Sequence, residues 1–298
     1  MSSALIISFK RLEFLLACAL TIGNSTFATA IVQSKNEPKE IWLGDVLGDG
    51  DLIEYRGYVL TKRHRSVVDP EIALKPIDVS YAVLNRKGKR LMKFDADVYF
   101  GLGNATRFGL VSILGNHKQA IISQDVYRGG AQWIVTLSRH PRIIFDGRIW
   151  SVGREGDDLG LGDLDGDDVY EISVPITDFY QLHDKMPMSQ IPLPSIIFRY
   201  HRVKRTYLPA NRRFRTYLLQ DLESIDSRLN SSDPFAQKSA VLKKLLTYIY
   251  IGRRREGWRF FDRTYALDDR EEIRRRVKSI LRRQPVYRFI YKHPGKRR

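Results

Sequence analysis

The chain has 298 residues, a formal net charge of +16 and one cysteine, Cys18. A chain of this length can bury a sizeable hydrophobic core without cross-links. One cysteine excludes an intramolecular disulfide, so packing, hydrogen bonds and charge interactions must hold the fold.

The N-terminal segment has the three parts of a secretory signal peptide. Two basic residues precede an apolar run over residues 12–23, and residues 24–30 end in an A-x-A pattern. We predict a signal peptide over residues 1–30, cleaved after Ala30, and a secreted or periplasmic mature chain without cysteine. The run is shorter than the about 20 residues that span a bilayer, so an integral membrane protein is not expected. An uncleaved anchor and acylation at Cys18 are the alternatives.

Three strand pairs are predicted along the next part of the chain. Each consists of two runs rich in β-branched and aromatic residues, separated by a break at which Asn, Gly, Pro or charged residues interrupt the strand pattern. The predicted pairs are 79–84 with 90–94, 132–137 with 143–147, and 195–200 with 206–208.

Acidic residues are densest at residues 163–171, which read Asp-Leu-Asp-Gly-Asp-Asp-Val-Tyr-Glu. Acids at positions 1, 3, 5 and 9 around a glycine provide the oxygen ligands that a hard cation such as calcium requires. An EF-hand would place glycine at position 6 and glutamate at position 12, where this chain has Val174, so the EF-hand is excluded. An acidic surface turn without metal is the alternative.

Two weaker copies of this loop precede it. The first begins at Asp45 and keeps two of the four acids, whereas the second keeps only Ser112 and Asn116. Because ligand charge sets calcium affinity, a cage that lacks carboxylates should bind weakly or not at all. We expect one metal site at Asp163, leave a second at Asp45 open, and expect a degenerate turn at 112–120.

The acidic loop and the apolar strand pattern after it resemble the calcium loop of FG-GAP and VCBS repeats, which form blades of β-propellers. The resemblance extends over about three degenerate repeats. It implies that the ion is calcium, and that its ligands are the side chains of Asp163, Asp165, Asp167 and Glu171 and the carbonyl of Val169. Three repeats imply a partial propeller, a small irregular β-domain or a ring completed by another copy.

Beyond Pro209 the apolar spacing becomes helical. One helical face is predicted over 214–229, and a second helix is predicted to begin with Asp233 as N-cap and Pro234 in its first turn. Asp268 and Glu271 resemble a capping box that opens a last helix, which Pro285 would end. The predicted buried faces of the second and last helices are Phe235, Val241, Leu242, Leu245, Leu246 and Ile249, and Ile273, Val277, Ile280 and Leu281.

Within this region the spacing of Tyr248, Gly252, Glu256, Gly257 and Phe261 resembles the helix–turn–helix of a tetratricopeptide repeat. The resemblance covers about 30 residues and one unit, whereas a solenoid needs several repeats to bury its faces. It implies a single helical hairpin packed on its neighbours. A peptide-binding groove is the alternative.

The excess of positive over negative charge lies entirely in the C-terminal third of the chain. Residues 199–298 hold 28 Lys and Arg but 10 Asp and Glu, a charge of +18, so residues 1–198 carry −2. Dense arginine favours pairing with phosphate or carboxylate. We expect an anionic envelope component, an acidic polysaccharide or an acidic protein as partner. Nucleic acid is not expected because no nucleic-acid-binding motif is present. A solvated helix face without a partner is the alternative.

These features together predict an α+β fold: an antiparallel β-repeat domain of partial-propeller character at 31–209, then a basic α-helical domain at 210–298. No P-loop, G-x-S-x-G or H-E-x-x-H motif is present. The predicted function is a calcium-binding protein outside the cytoplasm with a binding or structural role, whose helical tail contacts an anionic partner.

An enzyme acting on acidic polysaccharide is the alternative function. Calcium-bearing propellers support some polysaccharide lyases, and a basic tail can hold a polyanion. This alternative requires a pocket in which Arg148, Arg154 or His183 converges with Tyr170 or Tyr180.

Overall fold

The computed structural model describes residues 41–43, 52–55, 57–67, 77–95, 106–115, 120–125, 133–138, 140–152 and 160–292. The predicted signal peptide, the loop at Asp45 and the positions Asn116 and Arg154 lie outside these ranges. Among the described helices, none combines the length and the apolar character needed to cross a membrane.

Thirteen β-strands lie in the described part of the chain. They are β1 (Ile41–Leu43), β2 (Leu52–Tyr55), β3 (Tyr58–Val67), β4 (Ile77–Arg86), β5 (Lys89–Asp95), β6 (Thr106–Val111), β7 (Ala120–Asp125), β8 (Trp133–Thr136), β9 (Ile143–Asp146), β10 (Gly160–Gly162), β11 (Glu171–Pro175), β12 (Ser195–His201) and β13 (Thr206–Pro209).

The strands form three antiparallel sheets, which follow chain order except that β1 joins the sheet of β6–β9. Their strand orders are β2-β3-β4-β5, β1-β6-β7-β8-β9 and β10-β11-β12-β13. The three predicted hairpins are confirmed as β4–β5, β8–β9 and β12–β13. In the first hairpin Lys87 and Gly88 both have positive φ, 49° and 72°, as a two-residue turn of type I′ requires.

Two of the loops with the acidic pattern each join a pair of neighbouring antiparallel strands. Residues 163–170 connect β10 to β11, and residues 112–119 connect β6 to β7. The aligned glycines of the two loops, Gly166 and Gly115, both have positive φ, 74° and 65°. The two loops also touch, because the Tyr170 N–H donates to the Ile113 carbonyl at 2.9 Å.

Six α-helices are described, and five of them follow or border the third sheet. They are α1 (Gly147–Trp150), α2 (Arg215–Gln220), α3 (Pro234–Tyr250), α4 (Arg254–Thr264), α5 (Arg270–Arg283) and α6 (Pro285–Lys292). Short 3₁₀ segments lie at Thr177–Leu182, Met188–Gln190 and Glu223–Arg228.

The start of α3 is the helix boundary that the sequence predicts best. Asp233 has extended backbone and accepts the Phe235 N–H at 2.9 Å, with Pro234 in the first turn. Its predicted core residues are buried, except that Phe235 is 40% exposed. Phe235 lies in the first turn, so its side chain precedes the packed part of the helix.

Three helix boundaries differ from the prediction. The face at 214–229 is divided between α2 and a 3₁₀ segment rather than one helix. The residue before α5 is Asp269, not Asp268, and its carboxylate does not cap the helix, because it binds Lys238 and Tyr265 instead. Pro285 ends α5 but also begins α6, since proline suits the first turn of a helix.

One hydrophobic core joins the third sheet to the helices. Ile172 of β11 and Phe198 of β12 belong to the same buried cluster as Leu245 of α3, Val277 of α5 and Ile290 of α6. The mixed α+β architecture is therefore confirmed. The packing continues across Pro209, where the chain changes from strand to helix.

The predicted helical hairpin is α3–α4, and Gly257 sets how closely its helices approach. A Cβ built on Gly257 would lie 3.0 Å from the Leu245 carbonyl oxygen and 3.1 Å from the Tyr248 Cβ. Only glycine fits this contact without displacing α3. Phe261 of α4 is fully buried and belongs to the same hydrophobic cluster as residues of α5 and α6.

Candidate metal centre and basic surface

Asp163 organises the loop between β10 and β11. Its Oδ1 accepts the N–H groups of Gly166 and Asp167 at 2.8 and 3.1 Å, and its Oδ2 accepts that of Asp168 at 3.1 Å. Gly166 and Asp168 have positive φ, which turns the backbone amides towards this carboxylate. One aspartate at the first position therefore fixes the curvature of the whole loop.

Glu171 closes the loop at the first position of β11. Its side chain is 1% exposed, and Oε2 accepts the Leu164 N–H at 2.9 Å. Oε1 is buried and accepts no hydrogen bond within the described residues. Burial, with a further contribution from the charges of Asp165 and Asp167, raises the pKa of Glu171 to about 7, although the Leu164 amide and Arg199 act against this. A buried acceptor without a donor is costly unless a cation or water satisfies it.

Three of the five predicted ligands converge. Asp163, Asp165 and Glu171 each place a carboxylate oxygen within 4.8 Å of the other two. Asp167 is turned aside: its Oδ1 accepts the Val169 N–H at 3.1 Å, and its Oδ2 faces arginine. The Val169 carbonyl as a ligand stays a prediction.

Arginines that the sequence pattern does not single out as site residues lie against this cluster. Arg199 of β12 donates from Nε to Asp165 Oδ2 at 3.0 Å and from Nη2 to Asp167 Oδ2 at 2.6 Å. Arg213 Nη2 lies 2.8 Å from the same Asp165 oxygen. Arg202 is more distant, 3.9 Å from Asp167 Oδ2. The positive charge beside these carboxylates therefore comes from arginines of the same chain.

The sheet register explains why Arg199 reaches the loop. Ile172 pairs with Phe198 in the antiparallel ladder of β11 and β12, so Glu171 and Arg199 are the next facing positions. Facing residues in an antiparallel pair lie on the same side of the sheet.

Asn211 fixes the segment that carries Arg213, because its amide accepts the Ile197 N–H and donates to the Ser195 carbonyl at 2.8 and 3.0 Å.

The donor set of the cluster fits a hard cation. Carboxylate oxygens are the ligands that calcium prefers. Asp163, Asp165 and Glu171 would hold the ion. Glu171 Oε1 is a buried oxygen that accepts no hydrogen bond within the described residues. Bound calcium would supply positive charge to a loop that otherwise depends on arginine. The structural elements that position these ligands are β10, β11 and the Asp163 turn.

The second charged feature is an open depression of about 540 Å³ on α4. It is lined by Arg254, Arg255, Trp258, Arg259 and Asp262. The acid in this lining is already paired, because Asp262 accepts from Arg274 and lies 3.5 Å from Arg270.

Two of the arginines that line the depression differ from the third in their pairing. Arg255 and Arg259 are exposed and form no ion pair or hydrogen bond with other described residues. Arg254 instead donates to the Tyr287 hydroxyl at 3.0 Å. The depression therefore offers unpaired guanidinium groups beside an indole ring.

Two of the residues named for an enzyme have other contacts within the described part of the chain. The His183 imidazole contacts the main-chain carbonyl of Tyr180 at 3.0 Å. Arg148 pairs with Asp146 beside β9. None of these residues lines the α4 depression.

Comparison of the chain with protein-family models, with curated proteins and with solved structures finds no match.

Proposed function

We propose that this chain is a calcium-binding β-repeat protein that acts outside the cytoplasm, with a binding or structural role. The convergence of Asp163, Asp165 and Glu171, with Glu171 Oε1 buried and without a donor, carries the proposal. Support for the repeat comes from three antiparallel sheets that follow one another along the chain except for β1, and from the matching positive φ of Gly115 and Gly166. Partial-propeller character belongs to the same proposal.

The expected affinity is that of a structural module in a calcium-rich compartment. Extracellular calcium modules have dissociation constants of about 0.1–1 mM. At about 2 mM calcium, mass action then stabilises the fold by about 0.6–1.8 kcal/mol. For a chain of this size the midpoint of thermal unfolding should rise by roughly 1–5 °C.

A thermal melt of the purified chain in calcium and in chelator tests this proposal. The wild-type midpoint should rise with calcium, and Asp165→Asn should abolish the rise. Asp168→Asn is the matched control, because Asp168 is an exposed acid of the same loop that is not among the converging carboxylates. Equal midpoints in calcium and chelator for the wild type would contradict a metal site.

The second part of the proposal assigns the anionic partner to the α4 depression. Exposed arginines attract polyanions, and this attraction weakens with salt. Trp258 adds an aromatic surface between Arg255 and Arg259 in sequence. The partner classes are an anionic envelope lipid, an acidic polysaccharide or an acidic protein.

Co-sedimentation with vesicles of anionic or neutral phospholipid, and gel retardation by polygalacturonate, distinguish two of these classes. Arg255→Gln with Arg259→Gln should weaken the interaction that is observed. Lys89→Gln with Arg90→Gln is the control, since it removes the same charge from an exposed turn on the first sheet. Equal loss in both double variants would show that only net charge matters and would contradict a site on α4.

A further inference from the structure

The side chain of Arg199 lies across the carboxylate cluster of the loop. Its Nε is 3.0 Å from Asp165 Oδ2 and 3.5 Å from Glu171 Oε1, and its Nη2 is 2.6 Å from Asp167 Oδ2. The side chain is 27% exposed, so it is only partly screened by solvent. One guanidinium therefore contacts three of the acids of the motif.

This arrangement neutralises the loop incompletely. Carboxylates this close repel one another unless positive charge lies between them. A guanidinium donates in one plane, and at 3.5 Å it does not hydrogen bond to Glu171 Oε1. A calcium ion accepts oxygen ligands from many directions. The buried, unsatisfied oxygen of Glu171 is the observation that separates an ion site from an acidic turn.

Arg199 and a bound cation would draw on the same two carboxylates, those of Asp165 and Glu171. Asp165 Oδ2 accepts from Arg199 Nε, and Glu171 Oε1 faces that same nitrogen. Two positive charges at one pair of carboxylates repel each other, so binding of one disfavours the other.

We propose that Arg199 is a tethered counterion of the acidic loop and that calcium displaces it. This inference rests on the proposed calcium site. In the absence of calcium, Arg199 holds Asp165 and Asp167 and keeps the loop folded. When calcium binds, the guanidinium is released towards the exposed turn between β12 and β13.

The release has a consequence for the surface of the third sheet. The turn after β12 already carries Arg202, Lys204 and Arg205, all exposed. A freed Arg199 adds to this basic turn, so calcium increases the positive charge that the turn presents. By linkage, an anion that binds the released arginine raises calcium affinity by the same factor.

Calorimetric titration of the full chain with calcium chloride tests the competition. Arg199→Gln should bind calcium more tightly than the wild type, by about fivefold or more if the coupling is of typical size. Arg202→Gln is the matched control: it removes the same charge from the same strand end, but Arg202 is 75% exposed and 3.9 Å from its acid. The calcium affinity of Arg202→Gln should stay within about twofold of that of the wild type, because Arg202 is a screened surface charge.

Unfolding midpoints of the same variants provide a second readout. In chelator, Arg199→Gln should melt below the wild type because Asp165 and Asp167 lose a counterion, and calcium should restore more stability to it than to the wild type. If Arg199→Gln does not fold in chelator, Arg199→Lys retains a positive charge and should give an intermediate calcium affinity.

The outcomes separate the inference from the proposed function. Calcium binding by the wild type with equal or weaker binding by Arg199→Gln would overturn the competition while leaving the metal site intact. Binding by Arg199→Gln alone would support the competition in its strongest form. Failure of both proteins to bind calcium would overturn the metal site and the competition together.

Discussion

Glu171 and Arg199 face each other across β11 and β12, with Glu171 Oε1 3.5 Å from Arg199 Nε. The distance permits charge attraction but not a hydrogen bond, so a buried oxygen keeps an unfilled acceptor position. A protein that only needed a folded turn would gain by satisfying this atom. The proposed alternation of Arg199 and calcium would satisfy this atom, which the salt bridge by itself leaves without a hydrogen bond.

Asp163 should contribute to stability even without calcium. Its carboxylate accepts three main-chain N–H groups, so Asp163→Ala should cost about 1–2 kcal/mol of unfolding free energy in chelator. Asp163→Asn keeps one acceptor oxygen and should cost less. Urea unfolding in chelator measures the loss of unfolding free energy in both variants. If Asp163→Ala is as stable as the wild type in chelator, the carboxylate does not organise the turn.

The pair of buried Lys238 and half-buried Asp269 should be the most sensitive charge pair of the helical region. Lys238 is 7% exposed and donates to Asp269 Oδ2 at 2.5 Å and to the Lys185 carbonyl at 3.1 Å. Lys238→Met leaves the half-buried carboxylate with the Tyr265 hydroxyl as its donor, and it should cost about 2 kcal/mol. Lys243→Met breaks the exposed pair with Asp221 and should cost less than about 1 kcal/mol. Similar losses in the two variants would contradict this ranking.

The same pair predicts a pH dependence. Burial by itself would raise the pKa of Asp269, but hydrogen bonds from Lys238 and Tyr265 and the Lys238 charge lower it overall. A lowered carboxylate pKa gives stability that is present above the ordinary pKa and is lost as pH falls through the folded-state pKa. The stability gap between wild type and Asp269→Asn should therefore narrow on acidification. Urea unfolding at pH values from about 7 to 3 checks this. A gap that is constant with pH would contradict it.

Gly257→Ala should destabilise the α3–α4 hairpin, although alanine favours helix. The added Cβ would be 3.0 Å from the Leu245 carbonyl, and overpacking of about 1–3 kcal/mol outweighs a helix-propensity gain of about 1 kcal/mol. Ser279→Ala on the exposed side of α5 is the control, because it adds alanine to a helix without a new contact. Chemical unfolding compares the two. A more stable Gly257→Ala variant would show that the helices can separate at little cost.

The predicted signal peptide gives a direct prediction for the mature protein. If residues 1–30 are removed, the chain isolated from its native host begins at Ile31 and contains no cysteine. Intact-mass measurement and N-terminal sequencing check this. A chain that retains Cys18 with a lipid mass would identify the acylated alternative, and an unprocessed chain would identify the membrane anchor.

Local signals in the sequence predicted much of the local structure. The turn at Lys87 and Gly88, the N-cap at Asp233 and the acidic loop each depend on a few adjacent residues, and each is present. Pro285 shows the limit of such signals, because one residue type both ends and begins helices.

The contacts that define the site could not be predicted in this way. Arg199 and Arg213 reach Asp165 from more than thirty positions away. Their approach is set by the register of β11 against β12 and by the Asn211 bridge, neither of which has a local sequence pattern. For the same reason Asp269 binds Lys238 rather than capping its own helix, since tertiary contacts outweighed the local motif.

The stoichiometry of calcium binding, measured by equilibrium dialysis of the full chain, tests the proposed metal site most directly. One calcium ion should bind per chain at the Asp163 loop, with binding abolished by Glu171→Gln and unchanged by Asp168→Asn. No bound calcium at concentrations up to a few millimolar, or binding that survives Glu171→Gln, would contradict it.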